Sequence, residues 1–251
     1  MIYITGDTHR NFDRIEYFCD RHNTTKDDLM IILGDAGINY YGDEKDDRRV
    51  KRYLETFPIT FMLIRGNHET RPDPSWPVRT KATDEYIGSF IIQQDFPSIL
   101  YAQDGRMYRL KTYDGWKTAF VIGGAYSVDK YYRLGAYAAG NHAMKWFEDE
   151  QLSDEEMEKV WKGFGSALDL EGSLDYILTH TCPESVEPKD MFLPSIDQSA
   201  VDKSTEKFLD RILGEFNRRN VPFEKWFCGH WHTDRTTQDR FRFMFTDIIA
   251  L

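Results

Sequence analysis

Apolar residues along the chain come in short runs, separated by polar stretches whose own apolar positions recur every three or four residues. That is the alternation of strands with amphipathic helices. Met1 to Thr5 reads as a strand, Phe12, Ile15, Phe18 and Cys19 as one face of a helix, and Leu29 to Leu33 as a second strand. Val50, Tyr53, Leu54 and Phe57 mark a second helix ahead of a third strand, Ile59 to Ile64. Such a β-α-β-α-β series predicts parallel strands joined by crossovers. The middle changes character. Ser98 to Ala102, Met107 to Lys111 and Thr118 to Ile122 are separated by Asp104-Gly105 and Asp114-Gly115, and Asp-Gly supplies hairpin geometry, so an antiparallel meander is expected there. Ser153-Asp154-Glu155-Glu156 predicts a capped helix running to about Phe164. Leu174 to Leu178 then reads as a strand, Phe208, Leu209, Ile212, Leu213 and Phe216 as a helix stripe, and Trp226 to Cys228 as a strand. Phe241, Phe243 and Phe245 alternate with Arg240, Arg242 and Met244 as a half-buried last strand, while Thr70 to Pro77 and Thr181 to Pro194 read as loops.

Length and composition narrow this picture. With 251 residues, 41% of them hydrophobic, the chain has enough apolar material for a large core, and one domain over residues 1–251 is expected. No repeat or low-complexity tract divides it. No apolar run approaches the roughly 20 residues of a membrane span, and no basic segment with an apolar core opens the chain. A soluble, cytoplasmic protein without membrane attachment is the expectation. Cys19, Cys182 and Cys228 are too few and too scattered for a disulfide framework and read as small buried hydrophobes in a reducing compartment. The net charge of −10 speaks against an extended nucleic acid partner. It does not speak against a small phosphorylated substrate, because bound divalent ions would be the largest local charges. The oligomeric state is not written in the pattern.

The strand ends carry the chemistry. Asp7 and His9 follow the first strand, Gly34-Asp35 the second, Gly66-Asn67-His68-Glu69 the third, His180 the strand near 178, and Gly229-His230-Trp231-His232 the strand near 228. Alone, Asp7-Thr8-His9 is as readily a polar turn as half of a metal site. Five of the seven histidines stand at these positions, however, and ligands of open α/β sheets bind beyond the carboxyl ends of the strands. Aspartate, asparagine and imidazole make a mixed nitrogen and oxygen set suited to first-row divalent metals such as Mn, Fe or Zn, without the thiolates of a structural zinc site. The donors are too numerous for one catalytic ion and match two, the arrangement that clamps an in-line displacement at phosphorus.

The series Gly6-Asp7-Thr8-His9, Gly34-Asp35, Gly66-Asn67-His68-Glu69, His180 and Gly229-His230-Trp231-His232 resembles the calcineurin-like metallophosphoesterase superfamily, whose motifs G-D-x-H, G-D, G-N-H-D/E, H and G-H-x-H occur in this order. The resemblance implies a four-layer α/β/β/α sandwich around two mixed sheets, with two divalent metal ions at the strand ends. It places Asp7, His9 and His232 on one ion and Asn67, His180 and His230 on the other, with Asp35 bridging. His68 would face the leaving group as acid or charge stabiliser, and a metal-bridging hydroxide would attack a phosphomonoester or phosphodiester. His68 and Asp35 are thus the catalytic candidates.

Two departures from the family pattern stand out. Many relatives carry glycine where this chain has Arg10, whose guanidinium could grip phosphate or pair with a surface carboxylate. In the protein serine/threonine phosphatases the second motif reads G-D-x-x-D and its last Asp orients the histidine; Ile38 stands there instead, which favours the phosphodiesterase-like branches. Gly123 to Arg133 leaves a strand on the same sheet end and mixes glycines, tyrosines and cations, either as a substrate-gripping loop or as a surface loop with packed tyrosines. Arg10, Asn67, Lys130 and Arg133 are the candidate contacts to a small phosphorylated substrate such as a nucleotide. Glu69 reads as support for its loop or an imidazole, and His22 and His142 read as ordinary. The alternatives to this enzyme are a phosphoprotein phosphatase and a non-catalytic scaffold; a scaffold should have lost ligands, and none is missing.

Overall fold

A computed structural model describes all residues except Asp43 and the side chain of Glu44. The first three strands, β1 (Ile2–Thr5), β2 (Leu29–Ile32) and β3 (Thr60–Leu63), are buried at every position, as parallel strands covered on both faces must be. The crossovers between them are α1 (Asp13–His22) and α2 (Glu44–Glu55), and β1–β2 and β2–β3 pair in parallel, with Ile2 opposite Leu29 and Leu29 opposite Thr60.

The middle of the chain departs from the expected meander. It contains β4 (Val78–Ala82), β5 (Tyr86–Ile91), β6 (Ile99–Tyr101), β7 (Met107–Thr112) and β8 (Gly115–Ile122). The turn at Asp114 joins β7 to β8, with Thr112 opposite Gly115. Asp104-Gly105 closes no hairpin: β6 lies parallel to β3, and β5 pairs antiparallel with β6 at one end and β7 at the other. The β4–β5 hairpin has no clear signature, because β4 is largely exposed and β5 is interrupted by Gly88. That glycine is required by packing, since a Cβ there would meet Tyr108 Cδ1 at 2.2 Å.

The remaining elements are α3 (Lys130–Ala138), α4 (Asp154–Glu171), β9 (Tyr176–Thr179), α5 (Ser204–Arg219), β10 (Lys225–Cys228), β11 (Arg235–Thr237), β12 (Phe241–Phe243) and β13 (Ile249–Ala250). The capping box at Ser153 and Glu156 opens α4. The helix outruns its expected end near Phe164 because Gly163 does not stop it; that glycine admits the Gly105 carbonyl, 2.4 Å from where its Cβ would be.

Two parallel halves, β1-β2-β3-β6 and β8-β9-β10-β12, are joined through the antiparallel β5 and β7. Hydrogen bonding runs unbroken through all the strands, so the two sheets expected are halves of one curled sheet. A shared core brings Ile4, Ile31 and Met62 of the first half together with Val121, Leu178 and Phe227 of the second. The outer face of the first half packs on α1 and α2 through Phe12, Ile15 and Leu54; that of the second packs on α4 and α5 through Phe164, Leu209 and Phe216. Just beyond β1, Gly6 lies so close to the chain after β12 that a Cβ would stand 2.0 Å from the Met244 carbonyl oxygen. The curl therefore brings the carboxyl ends of strands from both halves to one place.

Candidate metal centre

Tight turns at the strand ends turn seven donor residues inward. Asp7 and His9 follow β1, Asp35 follows β2, Asn67 follows β3, His180 follows β9, and His230 and His232 follow β10. Among the described residues nine non-glycine positions have positive φ, and five of them are His9, Arg10, Asp35, His230 and His232. Backbone strain is concentrated here, as it is at functional sites generally. The motif glycines permit the approach: a Cβ on Gly34, at φ +91°, would lie 2.1 Å from His180 Nδ1, and one on Gly66 would lie 2.1 Å from Asp35 Oδ1.

The donor atoms converge. Those of Asp7, His9 and His232 lie within 4.8 Å of one another, as do those of Asp7, Asp35 and His180. Asn67 Oδ1 is 2.7 Å from His180 Nε2 and 3.2 Å from His230 Nδ1. Backbone N–H groups hold the carboxylates: Asn67 and His68 donate to Asp35 at 2.9 and 2.8 Å, and His230 donates to Asp7 at 2.9 Å.

The electrostatics of this arrangement fit divalent cations. Asp7 and Asp35 are buried, and among the described residues only imidazoles, no lysine or arginine, form an ion pair with either. Burial, and after it the charge on Asp35, pushes the Asp7 carboxyl well above its ordinary range. Burial lowers the His180 and His230 imidazoles, which leaves them neutral, the form that ligates a metal. His180 Nδ1 faces the Leu33 carbonyl at 2.7 Å and must donate to it, so Nε2 presents a lone pair to the Asn67 oxygen, itself an acceptor. His9 Nε2 and His232 Nε2 face each other at 3.0 Å, and at most one of them can donate. The lone pairs opposed between His180 and Asn67, beside two buried carboxylates that pair only with imidazoles and backbone N–H groups among the described residues, are repulsive alone and become favourable around cations.

The surroundings fix the ligand loops. Glu69 accepts from the backbone N–H of Gly66 and of Gly37, both at 3.2 Å, which is the loop support expected of it. Arg14 ties the carbonyls of Gly6, Asp7 and Phe245 together, and the Phe245 ring stacks on His232 at 4.5 Å. Cys182 and Cys228 are free and buried and belong to the core under α4 and α5. At His68, Nε2 lies 3.3 Å from both Arg133 Nη2 and Asn67 Nδ2. Its Nδ1 is buried without a hydrogen-bond partner, and Ile38, where a carboxylate would be needed, is buried in the core.

The substrate candidates separate. The stretch expected to be a loop through Arg133 becomes helical at Lys130, and the helix sends its cations in different directions. Arg133 lines a cavity of 580 Å³ together with His9, Asp35, Asn67, His68, His230 and His232. Lys130 lies over the Trp146 ring at 4.0 Å, in a neighbouring cleft with Asp149 and Glu150, and does not line the site cavity. Arg10 also stands outside that lining; its guanidinium lies 4.1 Å over the Tyr40 ring, and Arg133 Nη1 reaches the Tyr40 hydroxyl at 3.5 Å. The far wall of the cavity is apolar, with Met191, Phe192, Leu193, Ile196, Val201 and Trp231. Half of it, Met191, Phe192 and Leu193, comes from the Thr181 to Pro194 stretch that sequence pattern assigns to loop, which holds short 3₁₀ turns at Glu184–Val186 and Lys189–Met191; a third such turn, Gln198–Ala200, follows it. Sequence reading also missed Ser127 and Glu150, although Ser127 lies inside the glycine-rich stretch it singled out.

A family model described as calcineurin-like phosphoesterase matches residues 1–234, a span that includes every donor above. A comparison with curated proteins finds no match.

Proposed function

Because the chain belongs to the calcineurin-like phosphoesterase family, a family of metal-dependent hydrolases of phosphoesters, we propose that it cleaves a small phosphomonoester or phosphodiester with the help of two divalent ions. Asp7, His9 and His232 would hold one ion and Asn67, His180 and His230 the other, with Asp35 shared between the two sites. The observation that carries this reading is the convergence of seven donors from both halves of the sheet, with the His180 Nε2 lone pair facing the Asn67 oxygen and, among the described residues, no lysine or arginine in an ion pair with either buried aspartate. The nitrogen and oxygen donor set suits manganese, iron or zinc. When bound, such ions polarise a phosphoryl oxygen and make a strong nucleophile available near neutral pH.

The protein's own groups do the rest. Arg133 directs a guanidinium into the cavity beside His68, where it can hold a phosphoryl oxygen or the charge that develops on the departing one. His68 faces the same place. The cavity volume of 580 Å³ is that of a small-molecule site, and its apolar wall suits the organic part of the ester, a nucleoside being of the right size. A phosphoprotein phosphatase is less well supported, because among the described residues no carboxylate partners His68 Nδ1. No helix among the described residues is long and apolar enough to cross a membrane, and the three free, buried cysteines accord with a reducing cytoplasm. The test is a panel of nucleotide, cyclic-nucleotide, phosphopeptide and lipid phosphoesters assayed with metal analysis of the purified chain. Asp35→Asn should lower both metal content and turnover, the latter by about 10² or more; an Asp35→Asn variant with full activity would contradict the reading.

A further inference from the structure

Of the proposed ligands, Asn67 is the one whose side chain has a right and a wrong way round. Turned one way it offers an oxygen to the centre; turned the other way it offers an NH₂ group, which cannot ligate a cation. Asn67 Nδ2 donates to Ser127 Oγ at 2.8 Å. A serine hydroxyl does not select an amide orientation by itself, since it both donates and accepts. Here its proton is committed, because Ser127 Oγ donates to Glu150 Oε2 at 2.5 Å while the Ser127 backbone N–H donates to Oε1 of the same carboxylate at 3.2 Å. Toward Asn67 the hydroxyl can then only accept.

Both residues are rigidly placed, with Ser127 and Glu150 at 2% and 3% exposure. The Glu150 carbonyl accepts from Arg65 Nη1 at 2.9 Å and from the Ala125 N–H at 3.2 Å. Gly123 and Gly124 let the loop pass this close to Arg65; a Cβ on either would fall within 2.7 Å of Arg65 atoms.

We infer that Ser127 and Glu150 form an orienting relay that locks the Asn67 amide with its oxygen toward His180 and His230, making them positioning residues for one of the two ions. The inference rests on the dinuclear reading above. It gives the Gly123–Ser127 stretch a task other than gripping substrate.

The relay is tested by titrating Mn²⁺ into the chelator-treated full chain by calorimetry, with circular dichroism melting as the check on folding. Ser127→Ala and Glu150→Gln should each weaken one of the two binding events by about 10- to 100-fold, the usual cost of removing a partner of a metal ligand, and leave the other near its original affinity. Asn67→Asp supplies the decisive background, because a carboxylate has two equivalent oxygens and needs no orienting. In that background Ser127→Ala should change Mn²⁺ affinity by less than about 2-fold, well below the 10-fold scale of a lost partner. Unchanged binding in both single variants would overturn the relay, as would an equal loss with Asn67 and with Asp at this position, which marks a merely structural role. A wild-type chain that takes up no Mn²⁺ would overturn the metal reading itself, and is distinguishable because it fails before any variant is compared.

Discussion

His68 shows how much a single side chain can decide. It stands between two N–H donors, Arg133 Nη2 and Asn67 Nδ2, and its inner nitrogen has no partner. A general acid helps only where the departing oxygen needs a proton, and the help is typically worth about 10² to 10⁴ in rate. Nitrophenolate leaves without it; an alkoxide does not. If His68 supplies that proton, His68→Ala lowers hydrolysis of alkyl phosphoesters at least about 10-fold more than that of nitrophenyl esters. The geometry favours the other result, an equal loss for both leaving groups at unchanged metal content, because among the described residues no group holds Nδ1 and two donors already face Nε2. Steady-state rates on a matched ester pair separate the two, and a selective loss on the alkyl ester would refute the positioning role. At this scale the donor residues that the fold gathers were legible because their types repeat at successive strand ends. The relay was not: Ser127 and Glu150 meet Asn67 only through the fold, and Glu150 sits in a run, Glu148-Asp149-Glu150, that reads as solvated charge.

Elements were legible where periodicity was long or capped, as in α4 and α5, and illegible where packing overrode local pattern. The β4–β5 hairpin is mostly exposed at one strand and carries a packing glycine in the other, and Lys130 was misplaced because a helix, not a loop, carries it away from the cavity. α5 also holds a pH-sensitive group in its first turn. Glu206 is buried at 5% exposure with Oε2 unpartnered, and burial pushes its carboxyl up to about 7 from an ordinary 4.5. Between these values the folded chain holds the proton that the unfolded chain releases, so stability falls as pH rises through the window and the contribution is gone above it. Glu206→Gln keeps the neutral shape. At pH 8 it should be more stable than wild type by up to about 3 kcal/mol, and at pH 5 nearly equal, as read from urea unfolding at constant Mn²⁺. A variant no more stable than wild type at pH 8 would contradict this account of Glu206.

At the scale of the molecule, the curl of one sheet does what neither half could do alone. The β1-β2-β3 half brings Asp7, His9, Asp35 and Asn67, the β9-β10 half brings His180, His230 and His232, and Gly6 against Met244 marks how closely the halves approach. Sequence pattern predicted strands in both halves but the parallel sense of β1, β2 and β3 only; it assigned the runs that become β6 and β8 to an antiparallel meander, and they pair in parallel with β3 and β9. It could not show that β5, pairing with both β6 and β7, would join them into one sheet, because that depends on long-range pairing of weakly patterned strands. The central claim is that the donors gathered in this way hold metal that the hydrolysis requires. The most direct test follows hydrolysis of bis(p-nitrophenyl) phosphate and p-nitrophenyl phosphate by the chelator-treated chain while Mn²⁺ is added back. The account predicts loss of activity on chelation and recovery that saturates at two equivalents of Mn²⁺ per chain, the number proposed for its donor set. Hydrolysis that survives complete chelation, with no metal left on the chain, would contradict it.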